Sequence, residues 1–492
     1  MTDGLGAAAR RGVVWSTMAY ASTKVLSLVT TAVLARLLVP GDFGVLAAVL
    51  VFVAFVELGG DLGMRATVIY EQERGISDRV HVAFTLNLAL IGVLTVAALA
   101  LAPLIAGFFG LEHEVWLFRL GVLALPLRAL GNVSDALLLR ELAFRRRMIP
   151  EIGSSIVKAT VSIALALTGA GAEALVIGLL AGTATWSALQ LALTGYRPRL
   201  RFDRAVARSM AGYGVGASLL EVAAVIANSV DQIVVGRVLG ERALGLYSVA
   251  YKIPELGISA VGWNVSQVAF PALSRKRTDD AGDLGRATLK LLRLQALFAV
   301  PVATGTAVLA GPLIVNVFGE KWASGAGVLA AAATMAAGQG IAFPIGDLFK
   351  AVGRQRRLVM LNVVLLPVLI AGVILAADAG ITAIAWTRAA VSVTFAMTVV
   401  AMAGRLLAIP PRETLRAAWP AIAAAIGVLA GAGFVRLIWH GDGLGVLLVG
   451  AAAAAVGGLL ALRLLAGHAL GEVIETLRGG RRATYAGQTG VE

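Results

Sequence analysis

The chain has 492 residues, 59% of them hydrophobic and only 14% charged, with a net charge of +13. A soluble protein keeps about a quarter of its residues charged, so this apolar excess calls for the bilayer as solvent and leaves no length for a large soluble domain. The absence of cysteine excludes disulfides and thiolate metal sites, and the four histidines are scattered near predicted helix ends, so neither a metal nor a cofactor is expected.

A bilayer core about 30 Å thick takes roughly 20 apolar residues per helix. On that measure spans are predicted at 12–38, 43–64, 81–107, 114–139, 150–169, 173–194 and 212–236, then at 243–268, 288–317, 324–349, 357–377, 380–404, 415–438 and 444–466. The chain is thus expected to be an all-α integral membrane protein of about fourteen transmembrane helices. The first apolar segment, after Arg10-Arg11, runs too long for the apolar core of a cleavable signal.

The connections alternate in charge. Thirty of the 42 basic residues fall in eight of them, among them Arg145–Arg147, Arg197–Arg208 and Arg354–Arg357. The intervening connections, such as Pro40-Gly41-Asp42 and His440–Gly443, are short and nearly free of Lys and Arg. Positive connections stay in the cytoplasm, so the charge reads as orientation rather than nucleic-acid binding and places both termini inside the plasma membrane.

An internal repeat points to two lobes. Ala35–Val49 aligns with Gly236–Ala250 at a shift of 201, matching Arg36 with Arg237, Leu38 with Leu239 and Gly44 with Gly245. The expected organisation is two pseudo-symmetric six-helix lobes, residues 1–200 and 201–410, then two extra helices in 411–470 and a cytoplasmic tail over 471–492.

Ionisable groups inside a span are costly and mark a wet path. The first predicted helix carries Ser16, Thr17, Tyr20, Lys24, Ser27 and Thr31 at helical spacing, with Lys24 near mid-membrane. The second has Glu57 and Asp61, and the fourth has Arg128 and Asp135 after a kink expected at Pro126. The seventh has Asn228 and Asp231, and the eighth Lys252 and Glu255. These stripes fit a hydrophilic cavity; Ser and Thr also serve close packing, and Lys252 and Glu255 also fit a local ion pair. Arg36, Arg237, Lys158 and Arg388 read as side chains reaching for the interface. Gly4-Leu5-Gly6 and Gly212-Tyr213-Gly214 follow no strand, and no external loop is large enough for a catalytic site, so no enzyme activity is expected.

Four stretches resemble the polysaccharide-transporter (Wzx-type flippase) branch of the MOP superfamily: Leu34–Ala47, Glu57–Ile69, Asn228–Leu256 and Phe270–Arg275. The resemblance implies two facing lobes working by alternating access. It also implies a cargo, an undecaprenyl-pyrophosphate-linked oligosaccharide moved from the cytoplasmic to the external face for surface polysaccharide synthesis. Partners would be that glycan, membrane lipids, and a polysaccharide polymerase or glycosyltransferases; nucleic acid is not among them. Lys24, Lys252 and Arg128 would meet the pyrophosphate, and Tyr20, Asn228 and Tyr251 the sugar, with Tyr247 and Trp263 as further aromatic faces. Asp231, Glu255 and Glu57 are the candidates for ion coupling. The alternative is a cation- or proton-coupled small-molecule antiporter of the MATE type, a similar fold that usually stops at twelve helices.

The charge alternation is directly testable. Reporters fused after Arg146, Arg201 or Arg357 should read cytoplasmic, and those at Gly171 or Gly441 external; two reversed results would refute the fourteen-span topology.

Overall fold

The computed structural model describes residues 22–58, 76–141, 143–203, 224–259 and 281–486, with isolated positions between 261 and 273. Among the described residues every regular element is helical. Eleven helices among these residues are long and apolar enough to cross a bilayer, and each coincides with a predicted span. The other three predicted spans fall on helical residues 22–37, 224–234 and Gly240–Ala250, beside residues outside the description. The protein is therefore an all-α, multi-pass integral membrane protein. Tyr20, Asp61 and Trp263 lie outside the described residues.

Two compact units emerge: Met1–Lys252 with Leu369–Ile384, and Ile253–Val368 with Ala385–Glu492. In the first, α1 (22–37) leads to α2 (Pro40–Leu58) and α3 (Ile76–Phe108). The fourth span is split into α4 (Val115–Val122) and α5 (Ala124–Arg140). The break at Leu123 follows from Pro126, which has no N–H to return to the preceding turn. Next come α6 (Phe144–Leu167), α7 (Ala172–Thr194), α8 (224–234) and α9 (Gly240–Ala250). A wide π-helical turn, Val235–Leu239, joins the last two.

Lipid tails are as apolar as leucine, so membrane helices associate where small residues let backbones approach. Helices α6 and α7 pack along Gly178 and Gly182. A Cβ on Gly182 would lie 2.9 Å from Lys158 Cβ and 3.0 Å from the Ser154 carbonyl oxygen. One on Gly178 would overlap the Ser162 hydroxyl. Helices α2 and α9 cross still more closely. A methyl group on Gly44 would overlap the Glu241 carbonyl, and one on Gly245 the Pro40 carbonyl. Positions 44 and 245 are partners in the internal repeat, as are 40 and 241, so the crossing is reciprocal.

One end of this unit is stapled by charge and aromatic stacking. Asp135, fully buried on α5, accepts two hydrogen bonds from Arg147 at 2.6 and 3.2 Å and one from Gln190 at 3.2 Å. The segment after α7 folds back on α3. Tyr196 stacks on His81, their rings 5.3 Å apart, with its hydroxyl 3.0 Å from Nδ1. Burial pushes the Tyr196 phenol up to about 12, so it stays protonated and donates. The Arg199 backbone N–H donates to the same nitrogen at 3.3 Å, and the Arg201 N–H to the Thr85 hydroxyl at 2.9 Å. At the opposite face Arg237 donates to the Phe108 carbonyl at 2.9 Å and lies over the Phe108 ring, as an interfacial side chain should.

The second unit contains α10 (Ala281–Val308), α11 (Ala310–Phe318), α12 (Ala326–Ala351), α15 (Pro411–Ile438) and α16 (Leu444–Ala486). It shares α13 (Arg356–Leu375) and α14 (Ile381–Leu406) with the first. The last two helices pack most extensively, again backbone to backbone: a methyl on Gly427 or Gly431 would overlap the carbonyl of Gly457 or Ala453. At the C-terminal end of α12, Asp347 pairs with Lys350 at 2.8 Å and accepts from the Ser266 hydroxyl.

Gly182→Leu should therefore force α6 and α7 apart at a cost of about 1–3 kcal/mol. Thermal unfolding in detergent should show a lower Tm, whereas Gly92→Leu, where an added Cβ meets nothing within 4 Å, should leave it near wild type. Equal Tm for both variants would contradict the packing.

Candidate functional site

Of the residues singled out in the sequence, Lys24 is half-buried on α1, and Asn228 is exposed on α8. Lys252 and Tyr251 are half-buried just past α9. Glu255 is exposed at the start of a second π-helical turn, Glu255–Ser259, in the other unit.

Two sets of the expected residues come together in the first unit. The first set joins four helices. Glu57 on α2 pairs with Arg128 on α5 at 3.5 Å. The Arg128 guanidinium lies over the ring of Trp186 on α7, 5.7 Å from its centroid. The Trp186 indole N–H donates to the Glu151 carboxylate on α6 at 3.3 Å. The Glu57–Arg128 pair is about half exposed on both sides and contributes little to stability, so its effect is to fix where the guanidinium points.

Beside this chain of contacts is a pocket of about 160 Å³ between α5, α6 and α7. Arg128, Glu151, Ser155, Lys158, Thr183 and Trp186 line it. Lys158 sits two turns beyond Glu151 on α6 and within Coulomb range of Lys252. Arg128 and Lys158 thus line one polar cavity at mid-span, and Lys158 brings that cavity within the field of Lys252.

The second set is buried. The Asp231 carboxylate on α8, 1% exposed, accepts from the Tyr247 hydroxyl at 2.6 Å. The Tyr247 and Tyr251 hydroxyls are 3.0 Å apart, and their rings lie 4.7 Å apart. The wide turn Val235–Leu239 follows directly, and such turns concentrate at functional sites. Asp231 and Tyr251, expected as coupling and binding residues, are therefore tied through one hydroxyl.

At the opposite end of these helices the α2–α9 crossing forms the wall of a second pocket, about 230 Å³. Asp42, Glu114, Glu173 and Glu241, one from beside each of four separate helix connections, converge there. Among the described residues no group of three or more His, Asp or Glu is placed to hold a metal ion.

Sequence reasoning did not group Glu151, Trp186 and Lys158 with Arg128. The signal available was a lysine in the middle of a span, which was read instead as an interfacial side chain. Glu151, two turns into α6 beside Pro150, had no periodic partner to reveal it.

Comparison with known proteins places this geometry in a family. The sequence profile described as polysaccharide biosynthesis protein matches residues 33–326. The chain is 28% identical over 315 residues, 64% of its length, to the succinoglycan biosynthesis transport protein ExoT of Rhizobium meliloti (strain 1021). That alignment spans 63% of the relative, a little under two thirds. It is 27% identical over 349 residues, 70% of each chain, to the lipopolysaccharide biosynthesis protein WzxC of Escherichia coli (strain K12). In fold it is similar to the lipid II flippase MurJ in an inward closed conformation. The TM-score is 0.77 at 14% identity, covering 93% of this chain and 100% of that one. With that profile spanning more than half of its length, the chain belongs to the polysaccharide biosynthesis protein family.

Proposed function

We propose that the protein moves an undecaprenyl-pyrophosphate-linked oligosaccharide from the cytoplasmic to the external face by alternating access. The observation that carries this reading is the polar, cation-bearing cavity of Arg128 and Lys158 at mid-span, with Lys252 in range. A polar, anionic headgroup, pyrophosphate and sugars together, cannot cross the hydrocarbon core without polar contacts and fixed positive charge in a wet path. The prenyl tail needs no protein path, because it stays in lipid. Lys24 and Lys252, on repeat-related helix pairs, are the residues assigned to the pyrophosphate, and the two repeat-related lobes are the bodies assigned to the motion. The names of ExoT and WzxC support a polysaccharide precursor as cargo over a drug-like solute.

Flipping in proteoliposomes loaded with undecaprenyl-pyrophosphate-linked oligosaccharide tests the reading. Wild type should expose the glycan to the opposite leaflet. The Lys24→Ala, Lys252→Ala double variant should slow exposure at least tenfold with protein levels near normal, since each charged contact is worth about 1.5–3 kcal/mol. Wild-type rates in the double variant would take phosphate binding away from these positions.

In this reading the reciprocal Gly44–Gly245 crossing is the external barrier. The chain has no cysteine, so Leu117→Cys, fully buried beside the crossing, gives a single label site. An added Gly245→Val cannot seat against the Pro40 carbonyl. It should raise labelling by an impermeant maleimide from outside several-fold and lower flipping. Unchanged labelling would exclude the crossing as the barrier.

A further inference from the structure

We infer that the pocket between α5, α6 and α7 is a subsite for one carboxylate-bearing sugar of the cargo, with the sugar acid held at Lys158 and its hydroxyls toward Glu151. The inference rests on the flippase reading above and deepens it, because it assigns a cargo chemistry that the family leaves open.

The argument is an accounting of donors, acceptors and charge. Ser155 already donates its hydroxyl proton to the Glu151 carbonyl at 2.8 Å, and Thr183 donates to the Leu179 carbonyl at 2.8 Å. Each oxygen keeps lone pairs, so both line the pocket as acceptors. The Glu151 carboxylate is an acceptor too, with one oxygen taken by the Trp186 indole. A wall of acceptors suits a ligand rich in hydroxyl groups.

The cations divide differently. Arg128 has Glu57 as its counter-charge and Trp186 under its face, so its charge is largely balanced. Lys158 has no carboxylate partner among the described residues, and the nearby Lys252 repels it. Along α6, Glu151 and Lys158 are seven residues apart, about 10 Å at 1.5 Å per residue. No ion pair joins the two among the described residues, and that spacing leaves room for one ring between them. The slot thus has an acceptor end and a cationic end, and its volume of about 160 Å³ is on the scale of one sugar, not of an oligosaccharide.

A mid-span ammonium without a counter-ion is costly, and a bound carboxylate would remove that cost. The carrier's pyrophosphate is the other source of negative charge. It has no hydroxyls to offer the acceptors, and its greater charge would be repelled more strongly by Glu151. The geometry therefore favours the sugar acid.

The test measures equilibrium binding to the purified full chain in lipid nanodiscs. Three ligands are compared: an undecaprenyl-pyrophosphate-linked disaccharide ending in glucose, the same disaccharide ending in glucuronic acid, and bare undecaprenyl pyrophosphate. Wild type should prefer the acidic over the neutral glycan by about tenfold, the order of one charge-assisted hydrogen bond. Lys158→Gln should abolish that preference and Lys158→Arg should keep it. A wild type that binds both glycans equally overturns the subsite whatever the variants do. So does Lys158→Gln weakening bare undecaprenyl pyrophosphate by the same factor as the acidic glycan, since the pyrophosphate is then the ligand at Lys158. Failure of wild type to bind any of the three overturns the flippase reading itself, a different pattern from loss of the acid preference alone.

Discussion

The structure depends on close approach of helix backbones at glycine. In water, burial of apolar faces would drive these helices together, but in lipid an apolar face gains nothing by leaving the tails. What remains is dispersion and polar contact, both short-ranged, so helices must meet at residues without side chains. Gly178 and Gly182 do this for α6 and α7, Gly44 and Gly245 for α2 and α9, and Gly427, Gly431 and Gly457 for α15 and α16. Large apolar side chains are displaced outward: Val93, Val96 and Leu104 on α3 and Val363, Val364 and Leu375 on α13 are exposed, as lipid-facing residues should be.

Close packing of this kind also makes the polar interior possible. Because Gly182 lets the α6 backbone come near, Lys158 and Ser154 are held against α7 and face the same pocket as Trp186. The indole then bridges two charges of opposite sign, with Arg128 over its face and Glu151 at its N–H. Amphipathic ring and rigid geometry together fix a guanidinium and a carboxylate around one indole. The same economy appears at Asp231, where Tyr247 donates to one carboxylate oxygen and carries the hydrogen bonding on to Tyr251.

The internal repeat shows in the packing. The α2–α9 crossing is made by repeat partners, so the contact is reciprocal. The acidic residues around the crossing, Asp42, Glu114, Glu173 and Glu241, repel one another when it is closed. Tight backbone fit and charge repulsion therefore act in opposite directions at one place.

The sequence by itself determined the membrane spans and the all-α class. Hydropathy and helix length act locally against a slab of fixed thickness, so each segment such as Val80–Phe108 or Arg356–Leu375 could be read alone. The break near Pro126 was legible for the same reason, being decided within one turn of helix. Only the tertiary structure decided which polar residues meet. Glu57 reaches Arg128, Trp186 reaches Glu151 and Lys158 nears Lys252 across gaps of 35 to 94 residues. Those meetings follow from where glycines admit a neighbouring backbone, and a single sequence does not say which neighbour that will be.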